Sequence, residues 1–142
     1  MGEVKTMAPE SSGDWFEAIV LEQGESVGIN DVDRELFNVT FEAFMDGSFD
    51  MAHAGFAELS ESGSSVSQYY LGMMYRNGKG VLQDFCMAHM WFNIASSRGH
   101  EKARMRLECL TGKMTPEMVA EAQRMAREWV QQQQAGDDNP IH

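Results

Sequence analysis

The chain has 142 residues, ordinary apolar content and a net charge of −11, which is enough length for one domain with a buried core. No run approaches the ~18 consecutive apolar residues of a membrane span. There is also no basic stripe of the kind nucleic acid requires, so neither a spanning protein nor a nucleic-acid binder is expected.

The acidity is uneven: residues 1–62 hold 14 Asp/Glu against 2 Lys/Arg, and residues 63–142 hold 8 against 9. Such a bias favours a basic partner through complementarity, although solubility alone accounts for it equally well. The opening "MGEVKTMAPESSGD" has no apolar h-region. A cytoplasmic location is therefore expected, or a periplasmic one if a leader has been trimmed.

Residues 1–13 read as a polar tail. "DWFEAIVLEQ" follows, with Trp15, Phe16, Ile19 and Val20 on one face of a short amphipathic helix. That segment either caps the first helical pair or serves as a docking motif, and residues 1–30 together form an N-terminal tail. "NDVDRELFNVTFEAFMDG" is then predicted helical, with Asn30 as cap and Leu36, Phe37, Phe41 and Phe44 as its apolar face. "SFDMAHAGFAELSESG" carries Met51, Ala52, Phe56 and Leu59 at helical spacing and closes at Gly63. "SVSQYYLGMMYRN" ends at a Gly78–Gly80 turn. "DFCMAHMWFNIASSRG" has Asp84 as N-cap and Gly99 as its terminal glycine. "EKARMRLECLTG" is a fifth helix. In "TPEMVAEAQRMAREWVQQQQ", Thr115 caps, Pro116 occupies the first turn, and Met118, Val119, Ala122, Met125, Ala126, Trp129 and Val130 form a core stripe. Residues 135–142 read as a second tail.

"GMMYRNGKG" invites comparison with a phosphate-binding loop. That loop needs Gly, four residues, then Gly-Lys-Ser/Thr, whose hydroxyl holds magnesium. Five residues separate Gly72 from Gly78, and Gly80 stands where the hydroxyl belongs. The glycines are therefore expected to be architectural: Gly72 for close helix approach, Gly78 and Gly80 for the turn.

Sliding the chain against itself by 36 residues aligns Ala52 with Ala88, His53 with His89, Phe56 with Phe92, Ser60 with Ser96 and Gly63 with Gly99. Leu71 also falls on Leu107. This period suits helix–turn–helix arrays, in which each pair needs its neighbours to cover its apolar face.

Within the second unit, Leu71, Gly72, Tyr75, Gly78, Gly80, Val81, Asp84, Ala88, Trp91, Phe92, Ala95, Ser96, Gly99 and Ala103 occupy fixed positions. This stretch closely resembles the Sel-one-like repeat, a relative of the tetratricopeptide repeat, with Phe92 standing for Tyr and Ser96 for Ala. Residues 66–103 carry the match, 33–63 look like a degenerate copy, and 101–134 like a modified closing unit. The resemblance implies an all-α fold over residues 31–134: a short right-handed superhelix of about three stacked antiparallel helix pairs with a long C-terminal capping helix. It also implies non-enzymatic adaptor roles in bacterial signalling, envelope assembly or secretion. Some disulfide-rich members of the family are linked to β-lactam hydrolysis; they carry a cysteine pair in each repeat, which this chain lacks.

No Gly-x-Ser-x-Gly, His-Glu-x-x-His or Cys-x-x-Cys motif is present, so no catalytic residue, metal or cofactor is expected. Cys86 and Cys109 make neither a disulfide framework nor a zinc quartet; free thiols are expected, with pairing open should their helices be antiparallel neighbours. His53 and His89 are expected at the solvent edge, too far apart to share a metal. The Asn38-Val39-Thr40 sequon falls inside a predicted helix. If the first helices line a concave face, Gln68, Tyr69, Met73 and Arg76 are the candidates for an open groove. Leu71, Met74 and Tyr75 would then face the core. Tyr, Met and Arg are favoured at interfaces. The expected function is thus a protein- or peptide-binding module. The alternatives are a homo-oligomeric structural unit and, further off, a small hydrolase.

Overall fold

The computed structural model describes residues 31–137, with side chains from 33 to 135. The expected tail at 1–30, its amphipathic stretch at 14–23, the Asn30 cap and residues 138–142 lie outside the described residues. Six helices follow one another among the described residues: α1 Asp31–Met45, α2 Phe49–Glu61, α3 Ser65–Asn77, α4 Phe85–Ser97, α5 Glu101–Thr111 and α6 Pro116–Asp137. The described residues contain no strand, and the architecture is all-α. The last helix runs three residues past the expected boundary at 134.

Helix ends are fixed by side chains that replace missing backbone partners. Asp84 Oδ1 accepts the amide of Met87 at 3.0 Å, and Thr115 Oγ1 accepts that of Met118 at 3.1 Å. Ser64 Oγ accepts from Ser67 N at 3.2 Å. His100 does the same for α5 through Nδ1, taking the Ala103 amide at 3.1 Å.

The 36-residue offset reappears in the backbone. Between α2 and α3, Ser62 N donates to Leu59 O, Gly63 N to Ser60 O, and Ser64 N to Leu59 O, each at 3.1 Å. Between α4 and α5, Arg98 N donates to Ala95 O, Gly99 N to Ser96 O, and His100 N to Ala95 O, at 2.9–3.1 Å. Gly63 and Gly99 take φ of +99° and +93°, a region that a side chain makes costly.

Each helix from α2 to α5 packs on the one before it, but α6 packs on α4 rather than on α5. Around α1, α2 and α3 the core is aromatic. Phe56 stacks on Tyr70 at 5.1 Å, and Phe44 meets Phe56 and Tyr70 at 5.9 and 5.7 Å. Trp91 meets Trp129 edge-on at 5.2 Å and joins α4 to α6. Two helix approaches depend on a missing side chain. A Cβ on Gly72 would lie 2.5 Å from Phe92 Cε1, and one on Gly55 would lie 2.0 Å from Thr40 Oγ1. Thr40 of the sequon is therefore a buried packing residue.

The open groove expected on α3 is not there. Gln68 and Tyr69 are 0% exposed and Met73 is 5% exposed. Every residue from Val66 to Met74 is buried, because α3 lies between α2 and α4 and no charged residue interrupts positions 64–75. Gln68 Nε2 donates to Ser60 O of α2 at 3.2 Å. The Tyr69 ring packs against Tyr70, Phe92 and His100. Of the four candidates only Arg76 is partly exposed, and its guanidinium donates to the adjacent Asn77 Oδ1 at 3.0 Å.

Candidate functional site: a groove along α4

Since α6 rests on α4 and barely touches α5, the two flank α4 and leave a channel between them. One part, of about 320 Å³, is lined by His89 and Asn93 of α4, Leu107, Glu108 and Thr111 of α5, and Val119 and Gln123 of α6. It runs into a second part of about 630 Å³ through Asn93 and Gln123, which line both. There Ile94 and Ser97 of α4 face Ala126, Arg127, Val130 and Gln131 of α6.

Helical periodicity builds both walls. His89, Asn93 and Ser97 recur every four residues on α4, and Gln123, Arg127 and Gln131 do so on α6, so each trio shares a face. Apolar Ile94, Ala126 and Val130 are interleaved with them. The sequence stripe Met118–Val130 is accordingly divided. Ala122 and Ala126 are buried, and Met125, Trp129 and Val130 pack on the core. Val119, Ala126 and Val130 also line the groove.

At the α5 end the floor is held by a part-buried polar joint between buried His89 and exposed Thr111. His89 Nε2 lies 3.0 Å from Thr111 Oγ1, and that hydroxyl donates its proton to Leu107 O at 2.8 Å. The hydroxyl can therefore only accept from the ring, so Nε2 carries the hydrogen and Nδ1 is bare. Nδ1 is buried with no partner among the described residues, and burial lowers the His89 pKa from its ordinary value.

One repeat earlier, His53 Nε2 lies 3.2 Å from Tyr75 OH, with the rings edge-on at 5.7 Å. Burial lowers the His53 pKa too, against a smaller opposing pull from Asp50. Both histidines reach 22 residues ahead, from the second helix of one pair to the end of the first helix of the next. The expected solvent-edge histidines are instead joints: His89 is 2% exposed, and His53 is half-buried. His100 belongs to the same class, with burial and the charge of Lys102 lowering its pKa to about 4.

Cys86 and Cys109 are free. Cys86 Sγ donates weakly to Met118 O at 3.6 Å, and Cys109 is exposed. Among the described residues no three His, Cys, Asp or Glu side chains come together as metal ligands would, and no helix is long and apolar enough to cross a membrane. Asn93, Ser97, Gln123, Arg127 and Gln131 were not among the sequence candidates. Their signal was the four-residue polar spacing within α4 and α6. Comparison of the chain with family models, curated proteins and solved structures finds no match.

Proposed function

We propose that this protein is a non-enzymatic interaction module, a short helical-repeat solenoid of Sel-one-like type that binds an extended segment of a protein partner. Support for the repeat comes from equivalent hydrogen bonds 36 residues apart, at the turns 59–64 and 95–100 and at the histidine joints His53–Tyr75 and His89–Thr111. The binding face is the groove along α4, not the first-helix face where Gln68, Tyr69 and Met73 were expected to be open.

The observation that carries this reading is the pair of facing ladders, Asn93 and Ser97 opposite Gln123, Arg127 and Gln131. Side chains four residues apart on a helix rise by ~6 Å. Alternate residues of an extended chain are ~6.7 Å apart. An extended segment can thus present successive main-chain amides to successive ladder rungs and lie against Val130, with Ile94 and Ala126 buried beneath. Side-chain amides suit this task because each offers both donor and acceptor.

The test is display selection of a random peptide library on wild type and on Gln123→Trp, which sets a bulky ring at an exposed position shared by both parts of the groove. Wild type should enrich a related set of peptides that Gln123→Trp fails to retain. Equal retention by the variant, with its fold intact by circular dichroism, would remove the groove as the binding face.

A further inference from the structure

We propose that residues 14–23 bind their own chain, lying across α3 on the side turned away from α2 and α4, with their carboxylates directed to Lys102 and Arg106 of α5. This face is separate from the groove along α4, and the proposal stands independently of it.

Nine consecutive buried residues, Val66 to Met74, leave no side of α3 open. The helices that pack closely on it are α2 and α4, and helical spacing shows which side they take. Gln68 and Tyr75 reach Ser60 and His53 of α2, and Gly72 meets Phe92 of α4. Tyr70 turns towards Phe41 of α1, and Tyr69 towards His100 at the start of α5. Val66 and Met73 fall between these two tyrosines, facing away from α2 and α4, yet they are 2% and 5% exposed. The two helices packed on α3 enclose most of it but do not supply that cover.

The chain before α1 has the length and the charge to do so. Residues 1–30 hold six Asp/Glu against one Lys, and residues 14–25 hold four and no cation. Trp15, Phe16, Ile19 and Val20 make an apolar stripe with Glu17 and Glu22 beside it. Ten helical residues measure ~15 Å. The path to be crossed is of that order: Phe41 to Tyr70, Tyr70 to Tyr69 and Tyr69 to His100 are ring contacts of 6.0, 5.3 and 4.8 Å. Residues 24–30 form a tether of up to ~25 Å, ample for a fold-back from Asp31. At the far end of the path, Leu107, Glu108 and Thr111 of α5 face the groove. The flank with Lys102 and Arg106, one turn apart, therefore faces back towards α3. Glu101 and Glu108, both held by Arg104, lie off that flank. An acidic amphipathic segment thus meets an apolar side bordered by cations, which fixes its direction through complementarity.

The test is oxidation of the full chain by dilute hydrogen peroxide, with methionine sulfoxide mapped by peptide mass. Exposed Met51 and Met105 should oxidise quickly, and buried Met73 and Met74 slowly. In Trp15→Ser/Phe16→Ser, Met73 should oxidise at a rate approaching that of Met105. Met74 should stay protected there, which reports an intact fold. Glu17→Lys/Glu22→Lys should raise Met73 oxidation as well, and adding Lys102→Glu/Arg106→Glu should lower it again. Two results overturn the proposal outright: Met73 oxidised in wild type as fast as Met105, or equally protected in wild type and in Trp15→Ser/Phe16→Ser. Protection unchanged by the charge reversals overturns the seat on α5. Protection lost on dilution makes a second copy the source of the segment and overturns binding within one chain.

Discussion

Gly72→Ala tests how closely α3 and α4 are made to approach. Two effects oppose one another. Alanine is a better helix former than glycine by ~1 kcal/mol in a helix interior, so on propensity alone the change stabilises. The added methyl, however, would sit 2.5 Å from Phe92 Cε1 and 2.6 Å from Cδ1, well inside van der Waals contact. Phe92 is wholly buried and packed against Tyr69, so its ring has no solvent to retreat into. Overpacking of this kind costs ~1–3 kcal/mol, and more when the neighbour cannot give. The clash should win by about 1–2 kcal/mol.

Urea denaturation reads this directly. With a slope of ~1–3 kcal/mol per molar urea, the midpoint should fall by something near 1 M with the slope unchanged. Phe92→Leu supplies the control. Alone it should destabilise by leaving a void, but in its background Gly72→Ala should cost much less, because the atoms that clash are gone. A midpoint for Gly72→Ala equal to or above wild type would refute the account of Gly72 as the residue that admits Phe92.

Acid should destabilise the fold. The pKa values of His53, His89 and His100 are all lowered on folding, that of His100 from 6.5 to about 4. The unfolded chain thus takes up protons first as pH falls, and stability present above about 6.5 is lost towards about 4. At ~1.4 kcal/mol per unit, His100 alone accounts for about 3 kcal/mol. Urea midpoints across this range check it, and His100→Asn, which keeps a capping acceptor, should flatten the slope. Asp84→Ala should cost ~1 kcal/mol as a lost helix cap; Ser48→Ala should cost far less, since Ser48 makes no side-chain capping bond. Thr111→Val should cost ~1 kcal/mol, the net worth of one hydrogen bond, because the part-buried joint opens onto the groove and water can replace the lost acceptor. Adding His89→Leu should recover much of it, which thermal melts of the three variants would show.

The helices were legible because their signals are local. Apolar spacing, Asp84 and Thr115 as caps, and the glycines at 63, 78 and 99 each act within a few residues, and each has its expected role. The face that α3 presents was not legible in that way, because it depends on how many neighbours a helix has. One cue did exist: no charge falls between Ser64 and Tyr75, or between Phe85 and Ser97, which marks the two most enclosed helices. The histidine joints escaped because an internal repeat of 36 residues gives equivalence but not direction. Only the fold shows that each ring reaches a hydroxyl in the next pair. The groove arises from α6 settling on α4 rather than on α5, a tertiary choice that the stripe on α6 permits but does not specify.

The most direct measurement is a nuclear magnetic resonance titration of the whole chain with a peptide selected on wild type. Shift changes should concentrate at Asn93, Ser97, Gln123, Arg127 and Gln131, including the side-chain amides of Asn93, Gln123 and Gln131. Changes confined to α1 and α2, with α4 and α6 silent, would contradict the placement of the binding face.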